Sequence, residues 1–149
     1  MIKIAGNWEL SWNTPIKEAE LWNFVLRDFE IKYWYMWPIS GIRHNENNTV
    51  SLIEKHDLKS ILEDNQNLTH VYVEPDNDHY RHYGTDLRDF EHPKDVLYIF
   101  GSAHFNPVIG HKRAHDLGII IPTIQNKGVL WPHQCLLTIL YDRMVKGWQ

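Results

Sequence analysis

Ten histidines in 149 residues supply most of the groups in this chain that could move a proton or hold a metal. Two stand at points where a predicted strand or helix meets a loop. His104 follows the apolar run Val96–Phe100 and Gly101, and His133 follows Pro132 at the start of an amphipathic stretch. Imidazole is the usual general base near neutral pH, so His104 and His133 are the candidate catalytic residues. The plainer reading of each is a surface or capping side chain. His111 and His115 are four apart on a predicted helix and would share a face. Asp78, His79 and His82 form a second polar cluster in a loop. Zinc needs three or four ligands, and no His-Glu-x-x-His pattern occurs. Both groups therefore read as solvated, and no metal ligand is assigned. Lys112 and Arg113 with their flanking histidines make a small basic face that could meet RNA phosphate, though a solvated helix face is the preferred reading. Cys135 lies at helical spacing with Ile139 and reads as a small buried hydrophobe rather than a nucleophile. No P-loop, Gly-x-Gly-x-x-Gly or Gly-x-Ser-x-Gly motif is present.

The elements that would position these groups alternate between strand and helix. Met1–Ala5 reads as a first strand. Thr14-Pro15 is a helix start, with a capping hydroxyl and then proline. Leu21, Phe24, Val25 and Phe29 recur behind it at helical spacing. Ile31–Trp37 is dense in aromatic and β-branched residues and closes at Pro38. Its alternation of Trp34 and Met36 with Tyr33, Tyr35 and Trp37 predicts a strand covered on both faces. Ser40–Asn48 reads as a loop. Leu52–Leu62 reads as helical, with a break near Asp57, which can cap a second short helix. Thr69–Glu74 is a strand, followed by a polar, histidine-bearing stretch to Pro93 with a short turn at Asp86–Phe90. Val96–Phe100 is a strand. Asn106-Pro107 opens a helix for which Gly118 is the expected C-cap. Ile119–Ile121 is a strand, and Pro132–Lys146 a final helix. This order predicts an α/β domain with a mostly parallel sheet flanked by helices. Its ligand edge lies where strands run into loops, at Phe100-Gly101 and Ile121-Pro122.

Composition bounds the rest. A chain of 149 residues with 43% hydrophobic and 23% charged residues forms a real core and reads as one domain over residues 1–149. No apolar run approaches the roughly 20 residues that span a bilayer, and the first residues lack the layout of a signal peptide. With one cysteine no intrachain disulfide can form, and a cytoplasmic setting is expected. The net charge of −4 argues mildly against tight nonspecific nucleic-acid binding. Seven Trp and seven Tyr are many for this length. Aromatics concentrate in cores and interfaces, which makes a homo-oligomer a reasonable expectation.

The segments IFGSAHFNP and IIIPTIQNKGVLWPHQCLLTILYD resemble the cofactor-binding end of the SPOUT methyltransferases, in the TrmH and SpoU branch. Phe100-Gly101, Ile121-Pro122, Leu130 and Tyr141-Asp142 fall in that branch's order without gaps. The resemblance implies a C-terminal trefoil knot and S-adenosylmethionine bound in the knot loops, mainly by backbone groups. Carried over residue by residue, the cofactor-binding positions are Val73, Gly101, Ile121, Val129 and Leu130. Backbone recognition suits an adenine edge, which needs N–H and C=O groups rather than particular side chains. A missing Cβ at Gly101 lets the backbone approach a ligand closely. The resemblance also implies a homodimer, with Trp22 and Trp148 as plausible anchors, and RNA as a possible substrate.

The pattern also fails at specific points. The family's arginine on the first helix aligns with Ala19 or with Phe24. Arg27 is the only arginine there, and it lies near the wrong end. The glutamate after Phe-Gly is replaced by Ala103, the asparagine of the last turn by Trp131, and a serine two residues later by His133. Trp131 threatens the methionine end of the pocket. Two principal readings follow: an S-adenosylmethionine-dependent RNA methyltransferase-like enzyme, or a noncatalytic binding protein that keeps the α/β-knot fold. A histidine-based metal hydrolase is a weaker third.

Overall fold

The computed structural model describes residues 1–8, 15–39, 50–74, 84–101, 110–124 and 130–147. Among these residues seven strands form one sheet: β1 (Ile2–Asn7), β2 (Tyr33–Trp37), β3 (Ser51–Glu54), β4 (Thr69–Glu74), β5 (Thr85–Asp86), β6 (Val96–Phe100) and β7 (Leu117–Ile120). Their order is β3-β2-β1-β6-β4-β7-β5, and each pairing is parallel. Three α-helices accompany them among the described residues: α1 (Pro15–Asp28), α2 (Leu58–Asp64) and α3 (Pro132–Val145). The expected α/β class and parallel sheet are observed. No helix among the described residues is long and apolar enough to cross a membrane. The expected knot depends on the paths of residues 75–83, 102–109 and 125–129, which lie outside the described residues.

The sheet is buried on both faces. On one side Ile4, Trp34, Met36, Val71, Val73, Tyr98 and Phe100 pack with Trp22 and Leu26 of α1 and Leu136, Ile139 and Leu140 of α3. On the other, Ala5, Tyr35, Trp37, Tyr72, Leu97 and Ile99 pack with Leu58 and Ile61 of α2. The strict alternation of Trp34 and Met36 against Tyr35 and Trp37 between the two clusters is the period of two that a strand imposes. It bears out the reading of β2 as covered on both faces.

Three local expectations need correction. Leu52–Leu62 is not one helical stretch. Ser51–Glu54 is strand β3, paired with β2 from Tyr33↔Ser51 to Met36↔Glu54. The predicted break is real, because the Asp57 side chain accepts from Ser60 N–H at 2.9 Å and caps α2. Gly118 is not a helix cap; it lies inside β7 opposite Tyr72. The buried face of α1 is also rotated from the expected one. Ala19, Trp22, Asn23 and Leu26 are buried, while Phe24 is 46% exposed. Trp22 decides the rotation: its ring stacks on Trp34 at 4.8 Å and meets Phe100 edge-on at 5.4 Å. At 1% exposure it is a core residue, so it cannot be the interface anchor expected of it; Trp148 lies outside the described residues. Helix α1 closes with Glu30 in the left-handed region at φ 58°. There Glu30 N–H bonds to Arg27 C=O and Ile31 N–H to Leu26 C=O, which satisfies the last carbonyls.

Candidate functional site

In a parallel sheet all strand C-termini share one edge, and the helices that follow begin there. Val73 pairs with Phe100 on one side and with Ile119 on the other, and Glu74 pairs with Ile120. This register sets Gly101, Glu74 and Ile121 beside one another at the ends of the adjacent strands β6, β4 and β7. Val73 and Ile121 are buried in the core cluster beneath α1 and α3, and Gly101 is half-buried. Leu130 stands 36% exposed just ahead of α3. Its neighbour Trp131 is also 36% exposed rather than packed away. Trp131 N–H donates to Gln134 Oε1 at 2.8 Å, and its carbonyl accepts from the Gln134 and Cys135 N–H groups, which starts α3. Three of the five cofactor-binding candidates thus meet at one edge, with Leu130 at the entrance to the helix that follows. Val129 and His104 lie outside the described residues.

Of the two histidine candidates, His133 has a partner that sequence reasoning missed. Glu18, in the first turn of α1, is 3% exposed. Both its carboxylate oxygens lie 2.8 Å from His133 Nδ1. One of them also accepts from His133 backbone N–H at 3.3 Å and from Trp22 Nε1–H at 3.2 Å. A carboxylate at a helix N-terminus satisfies an orphan N–H and complements the dipole, so Glu18 starts α3 from outside it. It also supplies the acceptor that a buried indole N–H requires. Asn23 does the same for Trp34 Nε1–H at 3.2 Å. The signal was available in outline: a glutamate one helical turn before a tryptophan, on a face otherwise apolar. The partner 115 residues away was not.

The two places where the family arginine would align offer no polar group. Ala19 is core, and Phe24 is exposed with the Arg27 guanidinium 5.3 Å over its ring. Arg27 itself is exposed and pairs with Asp28 at 3.1 Å, the solvated helix-end role expected of it.

Two more polar clusters lie elsewhere. His92 Nδ1 is 2.6 Å from the Tyr98 hydroxyl, and its Nε2 is 2.8 Å from Asp142. Arg143 donates to the same hydroxyl at 3.0 Å and to Pro93 C=O at 2.7 Å. Lys146 donates to Leu87 C=O at 2.6 Å and pairs with Asp142 at 2.9 Å. This network pins the C-terminal end of α3 to the segment entering β6, far along the helix from His133. Burial lowers the His92 pKa below its ordinary 6.5, and the nearby Asp142 does not restore it. Burial pushes Tyr98 up to about 12. In the second cluster Arg113 grips Asp116 at 3.0 and 3.2 Å and reaches His70 Nδ1 at 3.2 Å. Burial opposes ionisation of Asp116, yet the Arg113 hydrogen bonds outweigh it and hold the carboxyl below its ordinary range. Arg113 is therefore tied to Asp116, while its side chain stays 52% exposed. His111 closes a 3-10 turn and His115 lies in a separate turn, so the two do not share a helix face. Among the described residues no three potential ligands cluster as a metal site; Asp78, His79 and His82 lie outside them. Cys135 is partly buried against the core, as expected.

No protein-family model matches the sequence, and no curated protein does either. Solved structures do match. The SpoU methyltransferase AviRb from Streptomyces viridochromogenes superposes with a TM-score of 0.75 over 99% of this chain, at 10% identity. The same protein in complex with the cofactor AdoMet gives 0.72 over 100%, at 9% identity. The A. aeolicus TrmH/SpoU tRNA modifying enzyme gives 0.68 over 98%, at 15% identity. The chain spans 61%, 59% and 77% of those chains respectively. At such identities the likeness establishes the fold: this chain has the SpoU-type α/β fold in a divergent sequence.

Proposed function

We propose that this protein is a divergent S-adenosylmethionine-binding, RNA methyltransferase-like protein, built as one α/β-knot domain over residues 1–149. One observation carries the reading. The ends of β6, β4 and β7 meet at one sheet edge, where α3 begins, within a fold shared along the whole chain with a cofactor-binding methyltransferase.

The residues at that edge fit the cofactor. Gly101, Ile121 and Leu130 offer backbone N–H and C=O groups beyond the strand ladders, which suit the polar edge of an adenine. A flat adenine would sit between Ile121 and Leu130, of which Leu130 is 36% exposed. Val129 completes the set carried over from the family pattern. Trp131, being a third exposed, does not occupy a buried pocket. The cofactor supplies a methyl group on a sulfonium; the chain supplies its seat and the groups around the acceptor.

A second reading, a noncatalytic binding protein, draws on the replacement of the family's arginine by Ala19 or Phe24. A homodimer is part of the main proposal. Helix α3 turns Leu137, Tyr141, Met144 and Val145 outward, 47 to 66% exposed, at helical spacing. A second copy of the chain is the occupant this apolar stripe fits. Isothermal titration with S-adenosylmethionine and S-adenosylhomocysteine tests the cofactor claim. Saturable heat with both is expected, and no heat or thermal shift at millimolar ligand refutes it. A monomer mass by light scattering at micromolar concentration refutes the dimer.

A further inference from the structure

The pair of buried Glu18 and half-buried His133 has more partners than a helix cap needs, and it lies at the edge where the cofactor is proposed to bind. Helix α1 follows β1 and α3 follows β7, so the first turns of both helices stand at the strand C-termini. A chain of contacts confirms the neighbourhood. Glu18 bonds to Trp22, and the Trp22 ring abuts Phe100, the residue before Gly101. The two nitrogens of the imidazole are inequivalent. Nδ1 faces a carboxylate that is almost wholly buried, at 2.8 Å from both oxygens. Nε2 is on the other side of the ring and has no hydrogen-bond partner among the described residues. The His133 side chain is 25% exposed. An ionised carboxylate accepts only, so it selects the tautomer with the proton on Nδ1 and leaves the lone pair on Nε2, across the ring from Glu18. A carboxylate behind a histidine both orients the ring and stabilises the imidazolium that forms when the outer nitrogen takes a proton.

We propose that His133 Nε2 is the proton acceptor for methyl transfer in this protein, and that Glu18 is its positioning residue. This rests on the cofactor reading above. It supplies the group that Ala19, Phe24 and Ala103 do not. In the step, the acceptor hydroxyl oxygen forms its bond to the methyl carbon and gives its proton to His133 Nε2. The S–C bond breaks with its electron pair left on sulfur. The positive charge thus leaves the sulfonium and appears on the imidazole, beside the Glu18 carboxylate. A proton acceptor of this kind is worth about 100-fold or more in rate.

The test uses the full chain. In protein labelled with 15N at histidine, long-range nitrogen spectra at neutral pH are expected to show His133 as the Nδ1–H tautomer. Glu18→Ala is expected to mix the two tautomers, and an Nε2–H form in the wild type overturns the proposal. Diethyl pyrocarbonate, read by peptide mass, is expected to modify His133 and to do so several-fold more slowly with saturating S-adenosylhomocysteine. His115, 70% exposed on a separate segment, is the internal control and keeps its rate. Unprotected His133 in protein that calorimetry shows to be loaded overturns the proton-acceptor role and leaves the cofactor reading standing. Absence of binding heat overturns the cofactor reading and this proposal with it. His133→Gln is expected to bind S-adenosylhomocysteine with unchanged Kd. It should transfer tritiated methyl to bulk RNA about 100-fold more slowly than wild type. Equal rates in the two proteins overturn the proposal.

Discussion

Replacing Glu18 by alanine removes one acceptor and strands three donors. Trp22 Nε1–H is the most costly, because the ring is 1% exposed and water cannot replace the carboxylate. A buried donor left unmade costs about 1–3 kcal/mol. The His133 backbone N–H is a helix-cap bond, worth about 1 kcal/mol. The His133 ring is a quarter exposed, so water takes over part of its bond and its share is the smallest. Against these stands the relief of no longer burying a carboxylate, which costs several kcal/mol when ill-paired and much less when as well bonded as this one. The net expectation is a loss of about 2–4 kcal/mol, or about 5–12 °C in Tm for a chain of this length. The mechanism is separable from general damage by a double-mutant cycle. Trp22→Phe carries no N–H, so in the Glu18→Ala background there is no indole donor left to strand. The two changes together should then cost about 1–2 kcal/mol less than their sum. Urea unfolding of the four proteins, with m-values shared, gives both numbers. A loss under about 1 kcal/mol for Glu18→Ala, or strict additivity with Trp22→Phe, refutes the account of Glu18 as the acceptor these groups depend on.

The lowered pKa of His92 makes the unfolded chain bind a proton before the folded one does, so stability rises with pH across that window. Stability should fall as pH drops through 6.5 toward the depressed folded value, and His92→Gln should flatten that part of the profile in urea titrations; an unchanged slope refutes it. Burial pushes the Cys135 thiol up to about 12. It should therefore be inert to Ellman's reagent at pH 8 in the folded protein and react fully in denaturant; rapid reaction under native conditions contradicts this. At Gly6 an added Cβ would sit 3.1 Å from the Trp22 ring, which is itself stacked on Trp34. Gly6→Ala should cost about 1–3 kcal/mol through overpacking, measured by calorimetry, and a neutral result would show that the aromatic stack can yield.

Element order was legible because period and punctuation agreed. Thr69–Glu74 and Val96–Phe100 are apolar runs of strand length with turn residues on both sides, and both appear with those bounds. Strand β3 was missed because SLIE is too short to show a period, and its pairing with β2 is a tertiary fact. The face of α1 was misjudged for a related reason. Phe24 and Leu21 fit an apolar stripe as well as Trp22 and Leu26 do. The choice between the stripes is made by Trp34 and Phe100, which come later in the chain. Of the site, the strand ends at Gly101 and Ile121 could be read from loop chemistry. Glu18 could be read only as far as its spacing from Trp22, because one acidic residue in the first turn of a helix is ordinary by itself. Its meaning comes from two donors, Trp22 and His133, that only the fold brings to it. The His92–Tyr98–Arg143 network was hidden in the same way, each member ordinary in its own segment.

The place of β6 in the sheet has a consequence for how the chain is made. On one side β6 pairs with β1, from Ile2↔Val96 to Gly6↔Phe100, and on the other with β4, from Thr69↔Val96 to Val73↔Phe100. It is the only strand among those described that joins the group β3-β2-β1 to the group β4-β7-β5. A chain growing from its N-terminus can pair β2 and β3 with β1 early. It then carries β1 with one open, apolar edge until residues 96–100 emerge. Even the first residue waits, since the amine of Met1 is held by Lys94 C=O and Asp95 at 3.2 and 2.5 Å. Pairings of such sequence separation close slowly, and an open parallel edge is a template for the wrong partner. A nascent chain arrested before Val96 is therefore the species of this protein most in need of a chaperone, and one arrested well past Phe100 has passed the point where its two half-sheets can be joined.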